Sequence, residues 1–157
     1  MCAAVDGAAR GNPGPAGAGV WLGDGQGRTL GEHSVYLGAT TNNVAEYAAL
    51  LVALHEAARL GATDVRVQTD SELLAKQIQG EYRVKDPTLR ALHAIAQQMQ
   101  RGFARCRVTH IPREQNRVAD RLANRAVDAG LRAHTGAGRR PNPPADPTQG
   151  TFLFPDS

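Results

Sequence analysis

The stretch from Val5 to Trp21, "VDGAARGNPGPAGAGVW", limits the folds open to this chain more than any other part of it. Glycine permits backbone conformations that other residues avoid, whereas proline fixes φ and removes an amide donor. We therefore expect "GNPGPAG" to form neither a helix nor an ordinary strand. It predicts a shaped loop, or a place where another molecule approaches the backbone. On this fragment alone, a plain turn between two strands is the simpler interpretation.

The 157 residues suffice for one domain with a core and a tail, but not for two domains. A net charge of +3 permits a polyanionic partner without requiring one. Cys2 and Cys106 are too few for a disulfide framework or a zinc site, so we expect buried or incidental thiols in a reducing compartment. No apolar run approaches membrane-spanning length. We expect a cytoplasmic protein with no membrane partner.

Alternation and capping signals predict a mixed α/β order. After a short apolar opening that ends at Asp6 come a short strand through 20–22, a turn at "GDGQG" and a return strand from Arg28 to Leu37. A long helix follows, capped by Asn42 or Asn43 and closed by Gly61, and then a strand that ends at Asp70. Next come a short helix from about Ser71 to Gln79 and a helix capped by Asp86. The chain continues with a strand stopped by Pro112 and a last helix from about Asn116 to Ala129 that ends at Gly130. This order predicts a mixed sheet with helices on its faces.

The composition changes near the end of the chain. From His134 onward, "HTGAGRRPNPPADPTQG" is a sequence in which no core can form. We therefore expect a folded domain over residues 1–131 and a disordered tail over 132–157. The tail ends in an apolar cluster, Phe152–Leu153–Phe154, which predicts either packing onto its own domain or docking on another protein.

Four acidic residues fall near the ends of the predicted elements. Asp6 is expected to end the first strand, Glu46 to lie in the first turns of the long helix, Asp70 to end the fourth strand, and Asp120 to lie in the first turns of the last helix. Side chains at such positions can meet at one edge of a sheet.

Each acid has a modest structural explanation when it is taken alone. Asp6 could be a turn residue, Asp70 could cap the next helix, and Asp120 could pair with Arg117 or Arg121. Together these explanations weaken, because clustered carboxylates repel and their pKa values rise unless cations neutralise them. Mg²⁺ prefers oxygen ligands, and two such ions about 4 Å apart can activate water and stabilise the leaving oxygen of a phosphodiester.

Four blocks carry a family resemblance: "DGAARGNPGPAGAG", "TTNNVAEYAAL", "TDSELL" and "NRVADRLANRA". In this order and at these intervals they resemble the signature blocks of type 1 ribonuclease H, over about residues 1 to 130. The resemblance implies a ribonuclease H-like α/β fold, with a five-stranded mixed sheet in the order 3-2-1-4-5 and flanking helices. It also implies a two-metal endoribonuclease that cuts the RNA strand of RNA–DNA hybrids and leaves 5′-phosphate and 3′-hydroxyl ends.

The same resemblance implies roles for individual residues. The metal ligands would be Asp6, Glu46, Asp70 and Asp120, holding two Mg²⁺ ions, with Asp6 bridging both and Mn²⁺ as a possible substitute. The glycine-rich run would let the hybrid backbone come close to the metals. The positions that resemble substrate contacts are Gly7, Asn12, Thr41, Asn42, Asn43 and Ser71. Capping and turn formation are the alternative roles for the polar ones.

Two segments depart from the family pattern. Many members carry a mobile glycine-rich loop with an assisting histidine before the last helix, where this chain has "VTHIPREQNRVAD". This segment resembles that of compact members with an auxiliary arginine, so Arg113 is the first candidate for the auxiliary residue and His110 the second. Arg113 could hold a phosphate oxygen or aid product release, but it cannot act as a base.

The second departure lies between the middle helices. Some relatives have a basic, tryptophan-bearing protrusion there that grips the DNA strand, where this chain has "QGEYRVKDPTL". Only Tyr82, Arg83 and Lys85 could substitute for it, and the sole tryptophan, Trp21, is expected in the core. We expect a form without this handle, with weaker hybrid binding and strong salt sensitivity.

Two other functions remain open at this point: a DNA-cutting nuclease of the same fold, and a nucleic-acid-binding module with weak or no catalysis. The first is disfavoured by "TNNVAEYAAL" and "TDS", and the second by the presence of all four acids. A monomer is expected. Gln149 followed by "GTFLF" loosely resembles peptides that dock on bacterial sliding clamps. The sequence leaves open whether RNA duplexes or embedded ribonucleotides are also cut.

Overall fold

The computed structural model of this chain describes residues 1–136. The strands are β1 (Cys2–Ala9), β2 (Gly14–Gly23), β3 (Thr29–Thr40), β4 (Asp64–Thr69) and β5 (Arg105–His110). The helices are α1 (Asn42–Arg59), α2 (Glu72–Ile78), α3 (Pro87–Gln100) and α4 (Arg117–Gly136), with a 3-10 turn at Arg113–Gln115. None of these helices is long and apolar enough to span a bilayer.

The strands form a single mixed sheet in the order β3-β2-β1-β4-β5, so the predicted fold class and strand order are confirmed. β1 to β3 pair antiparallel, whereas β1 with β4 and β4 with β5 pair parallel. The parallel pairing of β1 with β4 stops at Val5 and Thr69. The next residue of β1, Asp6, therefore extends beyond the end of β4.

Helix α1 approaches one face of the sheet closely at Gly7. A Cβ atom at this position would overlap the backbone of Ala45 and Glu46. Buried alanines recur along this helix at 45, 49, 53 and 57, with Leu50 and Leu54 between them. Small side chains on both elements let the backbones come together, and the first turns of α1 consequently lie directly over β1.

Helix α4 packs in the same way on the opposite face. Residues paired across antiparallel strands share a face, so Asp6 lies on the same side as its partner Gly19. A Cβ atom on Gly19 would overlap the backbone of Ala119 and Ala123 in α4. Asp6 therefore lies on the α4 side of the sheet, whereas Gly7 faces α1.

The prediction that "GNPGPAG" forms a loop is wrong for the second half of this stretch, because β2 already begins at Gly14. Only residues 10–13 connect β1 to β2, and they include a cis peptide between Asn12 and Pro13. β2 is buried on both faces between two helices, so small residues suit it better than large ones. Asp6 likewise does not end β1, which continues to Ala9.

Two helix boundaries differ from the predictions. α1 is capped by Thr41, whose Oγ1 accepts a hydrogen bond from the Val44 amide at 3.3 Å, and not by Asn42 or Asn43. α4 does not end at Gly130 but continues to Gly136. Gly130 lies against the Tyr36 ring, where a Cβ atom would not fit, so this glycine serves packing and not helix termination.

Two other helix boundaries, the start of α3 and the end of α1, agree with the predictions. Asp86 caps α3, with Pro87 in its first turn, and Gly61 follows α1 with a φ of +77°.

Trp21 is not in the core as expected: it is partly exposed, and its Nε1 donates to Thr29 Oγ1 at 3.0 Å. Cys2 and Cys106 are free and half-buried.

The predictions for the tail concern residues that lie outside the described part of the chain. They include the Phe152–Leu153–Phe154 cluster, the clamp-like segment after Gln149, and most of the 132–157 tail. The division into a domain at 1–131 and a tail at 132–157 stays a prediction, although the helix end at 136 lies beyond the proposed boundary.

The close packing of α4 predicts a strong effect of Gly19→Ala. The added methyl group would push α4 away from β2, and overpacking of this kind destabilises a protein by about 1–3 kcal/mol. Chemical denaturation should show this loss relative to wild type. Gly25→Ala is the matched control, because nothing lies within 4 Å of a Cβ atom there. Equal stability of the two variants would contradict the packing argument.

Candidate active site

Four carboxylates converge where β1 extends beyond β4. Asp6, Glu46 and Asp70 each place an oxygen within 4.8 Å of the others. Asp120 lies near enough to Asp6 that its charge raises the pKa of Asp6. All four line a cleft of about 400 Å³. The structure thus brings together all four acids predicted as metal ligands, although their role as ligands stays a prediction.

Glu46 is held in the cleft by the close contact between α1 and β1. The amide of Gly7 donates to Glu46 Oε2 at 3.1 Å. Asp6 and Glu46 are each only 5% exposed. The glycine after Asp6 thus has an internal role, since its missing side chain admits α1 and its amide orients the second carboxylate.

Asp70 lies in a well-anchored corner between β4 and α2. The amide of Ser71 donates to Thr69 Oγ1 at 3.1 Å, and Ser71 Oγ caps α2 by accepting from the Leu74 amide at 3.1 Å. Ser71, and not Asp70, is therefore the cap of α2. A buried hydrogen bond from Tyr47 Oη to Gln77 Oε1 at 2.7 Å ties α2 to α1. Burial raises the pKa of Tyr47 to about 12.

Asp120 is oriented within α4 by Asn124, whose Nδ2 donates to Asp120 Oδ1 at 3.2 Å. The alternative pairing of Asp120 with Arg117 or Arg121 does not occur in the described residues. Asn116 begins this segment and is 1% exposed. Its Nδ2 donates to the carbonyl of Val5 at 2.9 Å, which ties the start of α4 to the residue before Asp6.

The carboxylates are poorly solvated and repel one another. Burial, followed by the charges of Glu46, Asp70 and Asp120, raises the pKa of Asp6 from 3.8 to about 9. Burial and the charge of Asp70 raise the pKa of Glu46 from 4.5 to about 8, although the Gly7 amide and the Arg113 charge oppose this rise. Bringing these groups together without a counterion is unfavourable at neutral pH.

This donor set fits a divalent cation. Hard cations of this class bind carboxylate oxygens, and their charge would remove the repulsion that raises the two pKa values. The ligands available to such an ion are Asp6, Glu46 and Asp70, with Asp120 beside Asp6. Three oxygens within 4.8 Å leave room for exchangeable ligands on the open side of the cleft.

The two auxiliary candidates lie in different places. Arg113 lines the cleft, and its charge acts on Glu46. His110 ends β5, is exposed and is not part of the cleft lining. The geometry therefore brings the arginine, and not the histidine, to the carboxylates.

The residues predicted as substrate contacts separate into two groups. Gly7, Asn42 and Ser71 line the cleft, and Asn12 lies beside it, because its Oδ1 accepts from the Asn42 amide at 3.1 Å. Thr41 serves as the α1 cap, and Asn43 is exposed outside the lining. Arg83 and Lys85 are exposed in the segment between α2 and α3 and do not line the cleft.

Sequence reasoning missed three residues that shape the cleft: Arg10, Asn116 and Asn124. Arg10 lines the cleft and pairs with Asp128 of α4 at 2.7 Å. Asn124 follows Asp120 at the four-residue spacing that places helical side chains on one face, so this signal was available in the sequence. Arg10 and Asn116 donate hydrogen bonds to residues more than a hundred positions away in the sequence, and no local pattern predicts such contacts.

Known proteins match both the sequence and the fold. The family model described as "Reverse transcriptase-like" matches residues 4–126. "Ribonuclease HI" of Halobacterium salinarum is 45% identical over 123 residues, which are 78% of this chain and 62% of that protein. "Bifunctional protein Rv2228c" of Mycobacterium tuberculosis is 46% identical over 127 residues, which are 80% of this chain and 35% of that protein.

A solved structure, LC11-RNase H1 in complex with an RNA/DNA hybrid, superimposes with a TM-score of 0.79 at 46% identity. The match covers 83% of this chain and 98% of that one, whose source is compost sampled by a metagenomic approach. In contrast, the chain spans only about a third of the mycobacterial protein.

The raised pKa values predict how stability depends on pH without divalent ions. A carboxyl group whose pKa is higher in the folded state stabilises the fold fully below its unfolded pKa, near 4, and loses this contribution as pH rises. For Asp6 and Glu46 the loss extends to about pH 9 and 8. The melting temperature in EDTA should therefore fall between pH 4 and 9, and Asp6→Asn should reduce the fall.

Glu81→Gln, on an exposed side chain, is the control for this measurement and should follow the wild-type curve. Adding a divalent ion should stabilise the wild type most at high pH, where the carboxylates are free to bind it. A melting temperature in EDTA that rises across this range would rule out the electrostatic account.

Proposed function

Because this chain belongs to the type 1 ribonuclease H family, we propose that it is a metal-dependent endonuclease that cleaves the RNA strand of RNA–DNA hybrids. The observation that carries the proposal is the cluster of Asp6, Glu46, Asp70 and Asp120 in one open cleft. The hybrid bound to LC11-RNase H1 supports the choice of substrate. A cytoplasmic location and a monomeric state remain predictions from the sequence.

We infer that the four carboxylates hold two Mg²⁺ ions, for which Mn²⁺ could substitute. Such a pair of ions activates a water molecule and stabilises the leaving oxygen of a phosphodiester. The charges of the other three acids all act on Asp6, so Asp6 would be the ligand shared by both ions. The buried carboxylates stay ionised only when they are neutralised, so metal binding and proton release are coupled at this site.

The remaining cleft residues would bind and orient the nucleic acid. Cleavage joins the water oxygen to phosphorus and breaks the bond to the 3′ oxygen, which leaves 3′-hydroxyl and 5′-phosphate ends. The guanidinium of Arg113 stays protonated and can hold a phosphate oxygen or help the product leave. Polar groups at Asn12 and Asn42 could contact 2′-hydroxyls, which distinguish RNA from DNA.

The direct test compares end-labelled RNA–DNA hybrid, matched DNA duplex and matched RNA duplex, with and without Mg²⁺. Only the hybrid should be cut, only on its RNA strand, only with the ion present, and with the product ends named above. Cleavage of the DNA duplex would favour a DNA nuclease of the same fold. Binding without cleavage would favour a nucleic-acid-binding module.

Asp70→Asn should abolish cleavage at saturating Mg²⁺, with turnover reduced by at least about a hundredfold, because an amide is a poor ligand for the ion. Its fold should be intact and its thermal stability without metal equal to or above that of wild type, since one repelling charge is gone. Asp64→Asn is the control on the same strand, where the side chain is exposed. Wild-type turnover by a folded Asp70→Asn protein would reject the assignment.

Arg113→Ala should lower turnover partially, by about 10- to 100-fold, which is the usual loss of one charge-assisted hydrogen bond. His110→Ala should change turnover by less than about twofold, as expected for a surface substitution. Steady-state kinetics on one hybrid would compare them. The reverse order of effects would mean that the histidine assists the reaction.

A further inference from the structure

The solvent-facing side of α4 carries three arginines at four-residue intervals, Arg117, Arg121 and Arg125, which we call the arginine ridge. All three side chains are exposed. Residues four apart lie on the same face of a helix. Arg113, in the 3-10 turn before α4, extends the same spacing back to the cleft that holds the carboxylates.

The arginine ridge has no counter-charge among residues 1–136, where none of its three side chains has an ion pair or a hydrogen bond. The two acids of α4 that could have paired with it are engaged elsewhere. Asp120 contacts Asp6 and Asn124, and Asp128 pairs with Arg10 at 2.7 Å. The ridge is therefore free to meet an external anion.

This arrangement opposes the stability of the helix that carries it. Like charges four residues apart repel each other along a helix. Positive charge in the first turns also opposes the helix dipole, and Arg117 and Arg121 lie there. Asp120 in the same first turn offsets the dipole effect in part, but no acidic side chain of the described residues pairs with the ridge. An anionic partner would relieve the repulsion along the ridge.

The position and length of the ridge fit a nucleic-acid backbone. Eight residues of helix separate its ends, which is about 12 Å, or the rise of roughly four phosphates along one strand of a duplex. Arginine is well suited to phosphate because its planar fork gives two parallel hydrogen bonds. Asp120 lies between Arg117 and Arg121 in the helix, and Asn124, next to Arg125, also lines the cleft, so the ridge runs beside the cleft.

We propose that Arg117, Arg121 and Arg125 bind the sugar–phosphate backbone of the hybrid beside the cleft, an inference that rests on the proposed function. The segment between α2 and α3 is short, at residues 79–86, and its Arg83 and Lys85 do not line the cleft. The arginine ridge supplies on α4 the basic contact surface that this segment does not provide.

The test substitutes all three ridge residues together, as Arg117→Gln/Arg121→Gln/Arg125→Gln, which keeps helix-forming side chains in place. Binding is measured by fluorescence anisotropy over a salt series, in the Asp70→Asn background with Mg²⁺, on hybrid and on matched DNA duplex. Cleavage of the hybrid is measured in the otherwise wild-type protein. Circular dichroism checks helicity, and the single variant Arg121→Gln replaces the triple one if the latter fails to fold.

The control is Arg28→Gln/Arg66→Gln/Arg107→Gln, which removes the same charge from exposed positions on the turn after β2 and on strands β4 and β5. It separates a local contact from the effect of net charge. The control should bind the hybrid within about twofold of the parent, as expected for surface substitutions.

The ridge variant should bind the hybrid about tenfold more weakly at ~0.1 M salt, and its plot of log affinity against log salt should be shallower by about 2 to 3. Arg121→Gln alone should reduce that slope by about 1. In cleavage assays KM should rise while kcat stays unchanged. Equal effects of ridge and control variants, an unchanged slope, or a loss seen on DNA duplex but not on hybrid would overturn the inference. If the wild type cuts no hybrid, the proposed function fails, while the binding measurements still decide about the ridge.

Discussion

Direct contact between helix and strand backbones is the constraint on which the rest of this structure depends. At Gly7 the first turns of α1 lie against β1, and at Gly19 the first turns of α4 lie against β2. Because strand partners share a face, the two helices approach the same central strands from opposite sides. Each helix carries one acid in these turns, Glu46 or Asp120, and close packing brings both to Asp6. A side chain at either glycine would separate them.

Bringing these carboxyl groups together has an electrostatic cost. Burial and mutual repulsion raise the pKa of Asp6 to about 9 and that of Glu46 to about 8, so without a cation these two carboxyl groups keep their protons at neutral pH. The hydrogen bonds at Gly7, Asn116 and Asn124 keep the backbone and side chains in place despite that repulsion. A rigid site of this kind suits a cation, because little reorganisation is needed when the ion binds.

Arginine side chains line this acidic cleft and continue along the neighbouring helix α4. Arg10 and Arg113 line it, and the arginine ridge runs beside it along α4. Arg10 is paired with Asp128, and the charge of Arg113 acts on Glu46, whereas the ridge has no partner in the described chain. A polyanion would thus meet arginines before it reaches the carboxylates, which would otherwise repel it. The same arrangement explains why hybrid binding should depend strongly on salt.

The sequence by itself determined the element order, the strand order through the family resemblance, and the four acids, because caps, alternation and motif spacing are local signals. Asp86 before Pro87 and Gly61 after α1 are examples, since each acts on its own helix. It mistook the start of β2 for a loop and Gly130 for a helix end, because both judgements assumed that glycine breaks structure. Only the tertiary structure decided otherwise: Gly130 meets Tyr36 and Gly17 meets α4, so these glycines make room for neighbours distant in sequence. It also decided that Asn116 would hold Val5 and that Trp21 would stay partly exposed, since burial and long-range hydrogen bonds exist only after the sheet and helices have packed.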